Sequence, residues 1–277
     1  MNKETRNLIL FFTATFLATW ITYFTIVINH WDPYTMPGMV FLLIGGSAPS
    51  WVAVIMVFIT HDKEQRRDYF RRCISFRQVK LPYWAFILLV FPAIYAILIG
   101  IDMLMGGSLP GMINLKAYLA QPSILPLALF MSLLSGPWSE EFGWRGYSLD
   151  PLLKRFGVLR GSVILGFIWG IWHLPLFLMP ETWHGQMGFK FAGFWTFMLY
   201  SIGLAMMMTW VYLGTNRSIL TGFLMHLANN FTGNTVYPYS DRIEVMRMAI
   251  LVILGLVLCI QLERRSGQMP VSQALTR

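Results

Sequence analysis

Charge is scarce in this chain. Asp, Glu, Lys and Arg make up 12% of its 277 residues while 56% are hydrophobic; soluble globular chains carry about 25% charge. That scarcity excludes an ordinary water-soluble domain, and a mean hydropathy of +0.56 points the same way, to an integral membrane protein. Cysteine is nearly missing. Cys73 and Cys259 stand alone, one in a basic segment and one near the end of the last apolar run, so neither a disulfide framework nor a metal knuckle is available. No linker, low-complexity tract or internal repeat divides the sequence, which reads as one membrane domain over 1–277.

What remains is a series of long apolar runs. They lie at roughly Leu8–Ile28, Met39–Thr60, Leu81–Met105, Ile124–Trp144, Gly161–Met179, Phe191–Leu213, Ser218–Tyr237 and Val245–Ile260. No strand-type alternation passes through them, and each approaches the ~20 residues a helix needs to cross a bilayer. The expected fold is therefore all-α and polytopic, with about eight transmembrane helices. The first run follows Lys3 and Arg6, exceeds a signal-peptide core and lacks a small-residue cleavage site, so it reads as an uncleaved first span.

The net charge of +8 invites a nucleic-acid reading, but the cations are distributed as in a membrane protein. With the N-terminus in the cytosol, only Lys116, Lys190, Arg242 and Arg247 of the 21 Lys and Arg fall on the far side. The positive-inside bias then puts both termini in the cytosol of a plasma (inner) membrane and requires an even number of spans. The basic stretch from Asp62 to Phe76, with its interleaved aromatics, suits an interfacial segment on anionic lipid better than a nucleic-acid patch.

Against this apolar background a few ionisable groups stand out. Glu140, Glu141, His173 and His226 lie in or at the ends of the runs, where each costs about 2–4 kcal/mol to place in hydrocarbon. In the string from Pro137 to Tyr147, Glu141 and Arg145 have the i, i+4 spacing of a helical ion pair. Pro137 removes a backbone donor just before them and frees the Leu133 carbonyl. In the second string, Gly166 and Gly170 form a face on which another helix can approach closely, with His173 one turn beyond Trp169. In the third, His226 and Asn230 share one helix face while Asn229 points elsewhere. Each string alone has a bland reading as an interfacial ion pair, a satisfied core histidine or an interhelical contact. Together they put a base, two imidazoles and an amide donor on three spans. That set is complete for peptide hydrolysis without a serine or cysteine nucleophile.

The three strings resemble the motifs of the CPBP family, the CAAX prenyl endoproteases and their bacterial relatives, also called the Abi family. The family pattern is E-E-x-x-x-R, then F-x-x-x-H, then H-x-x-x-N or D. It is met by Glu140, Glu141 and Arg145, by Trp169 and His173, and by His226 and Asn230, with Trp169 standing where the family usually has Phe. The resemblance covers roughly 124–237, the fourth to seventh spans. It implies an intramembrane endopeptidase in which Glu140 and His173 activate water while His226 and Asn230 support the oxyanion. It also implies a membrane-associated protein or peptide substrate and the bilayer as partners. The prenyl-cysteine specificity of the eukaryotic relatives is not carried over, because nothing in the sequence reads as a prenyl pocket.

Several alternatives stay open at this point. A proton-coupled transporter would use the same buried groups as a relay, though no inverted repeat is visible. A non-catalytic, immunity-type protein could capture a membrane-active peptide on the same scaffold. Serine and aspartyl intramembrane sites are not represented, since neither G-x-S-x-G nor G-x-G-D occurs. Glu140, His173 and His226 would be an acceptable set for a divalent metal such as zinc, but there is no H-E-x-x-H pair and a neutral Asn230 suits a donor role better. The depth of the site is also open. Glu140 lies near the inner end of its run and His173 far from the start of the next, so either the fourth helix continues past Arg145 or the fifth begins in the cytosol.

Overall fold

The computed structural model describes residues 2–76 and 79–266, the side chains of 265 and 266 excepted. Arg77, Arg277 and the Arg265 side chain, all assigned above to the cytosolic side, lie outside the described residues. Among those residues there is no β-strand.

Helix α1 (Lys3–Asn29) starts where the Asn2 side chain accepts the Thr5 N–H. Helices α2 (Gly38–Gly46) and α3 (Ala48–Thr60) form one apolar unit bent by 48°. The basic stretch is helical as well: α4 (Lys63–Ile74) is opened by a reciprocal capping box of Asp62 and Gln65. Helix α5 (Leu81–Leu104) continues through Pro92, and the short α6 (Ile113–Ala120) follows. A nearly unbroken helical run then extends from Pro122 to Leu178. It contains α7 (Leu125–Leu133), α8 (Ser139–Glu141) and α9 (Leu149–Trp172), separated by wider π-type turns at Leu134–Trp138 and Phe142–Ser148. The chain ends in the short α10 (Trp183–Met187), then α11 (Thr196–Gly214), α12 (Ile219–Val236) and α13 (Asp241–Ser266).

Five helical stretches are long and apolar enough to cross a membrane, or six if the bent α2–α3 pair is one span. The molecule is an all-α polytopic membrane protein. One of the five, Pro122–Leu178, has 57 residues. At 1.5 Å per residue it would reach about 85 Å, far beyond a hydrocarbon core of about 30 Å. It does not run straight. Gly157 has φ 80° and ψ 176°, a backbone conformation that only glycine adopts without strain, and the chain folds back there so that Gly161 stands against the Leu152 carbonyl. Glu263 of α13 accepts the Leu159 N–H at 2.9 Å and so caps the returning arm. The helix carrying Glu140 thus continues past Arg145, and the arm carrying His173 begins before Gly161.

Helix α11 occupies the centre, packed most extensively against α13 and α9. It approaches α9 over Gly166 and Gly170, which lie against Ile202, Ala205 and Met198. Charged groups gather at the two ends. At one end Lys154 meets Glu4 at 3.1 Å, and Asp150 holds Arg217 at 2.5 Å. At the other, Lys190 meets Asp241 and Arg242 meets Asp102. Arg247, counted above among the far-side cations, is a buried residue of α13: its guanidinium bonds Glu244 and the Tyr95 hydroxyl and lies 4.3 Å from the centroid of the Tyr200 ring.

Candidate active site

The helix that presents Glu140 is irregular where it matters. Pro137 cannot donate in an α-register, and the backbone widens to a π-turn over Leu134–Trp138, with Ser139 Oγ donating to the Leu134 carbonyl. Glu140 follows at once and projects into a cavity of about 200 Å³. His173 from the end of α9, and His226 and Asn230 from α12, line the same cavity. The wall continues toward Trp183, His184, Tyr237 and Tyr239, which belong to connections at the end remote from the N-terminus.

Each polar group has a distinct support. Glu140 Oε2 accepts the indole N–H of Trp144 at 3.1 Å and that of Trp169 at 2.5 Å. The Trp found where the family usually has Phe therefore adds a hydrogen-bond donor that Phe would lack. His173 Nδ1 lies 2.8 Å from the Trp169 carbonyl; since only an N–H can bond a carbonyl, that nitrogen is the donor and Nε2 is left with its lone pair. His226 Nδ1 lies 2.8 Å from Glu141 Oε1 and donates to it. The Trp169 ring meets His226 edge-to-face at 5.3 Å between centroids, and the Arg145 guanidinium lies 4.6 Å from the Trp169 ring centroid.

Glu141 and Arg145 stand behind the cavity wall. Both side chains are fully buried, and their ion pair spans 3.0 Å at the expected i, i+4 spacing. The pair is single, not forked: Arg145 uses Nη1 for Glu141 and directs Nη2 to Met208 Sδ.

Four further participants did not stand out in the sequence. His184 stacks on His173 at 5.2 Å between ring centroids; burial, with His173 as a smaller cause, pushes its imidazole well below the usual range, so it is neutral there. It lies in the connection between two apolar runs, where nothing in spacing marks it. Asn229 and Tyr200 are the second and third: the Asn229 amide donates to the Tyr200 hydroxyl at 2.5 Å and to Asn230 Oδ1 at 2.9 Å. Gly136 is the fourth: a methyl group built on it would lie 2.8 Å from both Asn230 Nδ2 and His226 Nε2. Those two nitrogens thus face one small space that only a residue without a side chain leaves open.

Glu140 Oε2 accepts two N–H groups, and among the described residues no three His, Cys, Asp or Glu side chains are grouped so as to hold an ion.

With this geometry in view, comparison with known proteins is informative. Residues 121–232 match the family described as type II CAAX prenyl endopeptidase Rce1-like. The CAAX prenyl protease 2 of Methanococcus maripaludis is 26% identical over 248 residues, 89% of this chain and 90% of the relative. Both likenesses support the CPBP family of CAAX-type proteases. They support a protease, and the matched residues span all three motif strings and the whole cavity-forming run from Glu140 to Asn230. The likenesses and the polytopic all-α fold together support a CAAX-type intramembrane endopeptidase.

Proposed function

We propose that this protease cleaves a membrane-associated protein or peptide with a water molecule activated by Glu140 and His173. The observation that carries the reading is the shared cavity: Glu140, His173, His226 and Asn230, drawn from three helical arms, all line it. A water between Glu140 and His173 would give its proton to the carboxylate or to the free Nε2 of His173 as its oxygen attacks the scissile carbonyl carbon. The developing oxyanion would be met by the amide N–H of Asn230. His226 joins as a second donor when both its nitrogens carry protons, a form for which Glu141 is the counter-ion. Collapse of the tetrahedral intermediate breaks the C–N bond, and the proton taken from water passes to the leaving amine.

Glu141 and Arg145 act as positioning residues in this scheme. Two of their bonds converge on one carboxylate oxygen and fix the His226 ring. No step is routed through a metal. The arrangement of charges at the two ends, with the N-terminus among the cations near Lys154, Arg155 and Arg217, supports cytosolic termini in an inner membrane. Comparative mass spectrometry of membrane peptides from cells with wild-type or Glu140→Ala protein tests the proposal. Peptides whose termini appear only with wild type are expected; identical peptide sets would overturn it.

A further inference from the structure

We infer that Asn229 is a positioning residue that fixes the side-chain amide of Asn230 with its NH₂ toward the oxyanion space. The inference rests on the oxyanion role given to Asn230 above and adds the group that orients it. The Asn229 amide spends its two hydrogens on two acceptors, the Tyr200 hydroxyl at 2.5 Å and Asn230 Oδ1 at 2.9 Å. An amide can be turned by half a circle with almost no change in shape, so packing alone does not choose between its two faces. A donor against Oδ1 does choose. It turns Nδ2 to the opposite side, where Gly136 leaves room beside His226 Nε2.

Two observations favour this role over a packing role. Asn229 is buried, yet its own carbonyl oxygen has no hydrogen-bond partner. An amide kept only to fill space would be replaced at less cost by an apolar side chain of similar size. In addition, its other acceptor is itself held: the Tyr200 ring lies under the Arg247 guanidinium, whose bond to the Tyr95 hydroxyl ties α13 to α5. The donor pair on Asn229 is thus set from a rigid support and delivered to a single neighbour.

The test is a double-mutant cycle on the full chain reconstituted in vesicles, with a quenched fluorescent peptide spanning a wild-type-dependent cleavage site. Asn229→Ala is expected to lower kcat by about tenfold or more with KM nearly unchanged, as expected when a transition-state interaction is lost. Asn229→Ala added to Asn230→Ala should cost nothing further, because Asn229 acts only through Asn230. Asn229→Asp keeps size and can still pair with the Tyr200 hydroxyl, but it puts an acceptor against Asn230 Oδ1; it should match the alanine variant in kcat, with circular dichroism reporting an intact helical fold. Losses that add in the double variant, or full kcat in Asn229→Asp, would overturn the inference while leaving the oxyanion assignment intact. Full kcat in Asn230→Ala would sink that assignment and the inference with it.

Discussion

Glu141 and His226, 85 residues apart in the chain, meet through a 2.8 Å hydrogen bond on the same carboxylate oxygen that Arg145 reaches at 3.0 Å. Three side chains from two helical arms therefore share one acceptor in a dry setting, where Glu141 and Arg145 have no solvent exposure at all. The imidazole that faces the cavity is held from behind by a buried ion pair.

That arrangement predicts how Arg145 variants behave. Removing one partner of a buried pair leaves the other uncompensated, at about 3–5 kcal/mol. Arg145→Ala should therefore lower both melting temperature and activity. Arg145→Lys keeps the charge but not the planar guanidinium over Trp169, so it should recover most of the stability and only part of the activity. Thermal unfolding in detergent, read beside kcat, checks this. Wild-type activity in Arg145→Ala would show that the pair does not position His226.

Trp169→Phe restores the residue usual in the family and deletes one of the two indole donors to Glu140. A hydrogen bond to a charged group contributes about 1.5–3 kcal/mol, and Trp144 still supplies the other. A loss of roughly tenfold in kcat is expected, with a much larger loss when Trp144→Phe is added. Steady-state kinetics on the two variants decide whether the donors hold the carboxylate in a useful orientation.

Gly136→Ala should be among the most damaging small changes. The added methyl would stand 2.8 Å from His226 Nε2 and Asn230 Nδ2, in the space assigned to the substrate carbonyl oxygen. Displacing reacting groups by about 1 Å costs on the order of 100-fold in rate. Because the change is one methyl group, circular dichroism should report an intact helical fold while activity falls.

Much of this was legible from residues alone. The apolar runs, the three strings and the i, i+4 partners Glu141 and Arg145 follow from composition and helical period. Side-chain direction was not. Glu141 and Glu140 are neighbours in sequence, and only the π-type turns around them decide that Glu140 enters the cavity while Glu141 turns to His226. Asn229 read as pointing away from its neighbour, because a helical wheel places backbones and not the reach of an amide. His184 and Arg247 sit at helix ends, where a charge or imidazole looks like an ordinary loop residue until tertiary packing buries it. The fold-back at Gly157 is similar: glycine is common in membrane helices, and its positive φ is visible only in three dimensions.

Metal dependence separates two chemistries at the same site. Water activation by Glu140 and His173 predicts that Asn230→Asp lowers activity, since an acceptor replaces the oxyanion donor. It also predicts that exhaustive chelation of purified protein leaves kcat unchanged. A metal centre predicts tolerance of Asn230→Asp, loss on chelation and recovery with a divalent ion. One tightly bound zinc per active chain by elemental analysis would replace the mechanism and leave the protease assignment standing.

The most direct measurement is the turnover of Glu140→Gln. Glutamine keeps the size and polarity of the side chain and can still accept the Trp144 and Trp169 N–H groups at its carbonyl oxygen, but it cannot take a proton from water. Reconstituted Glu140→Gln should fold and bind peptide like wild type and cleave it at least ~100-fold more slowly; cleavage at the wild-type rate would contradict the account.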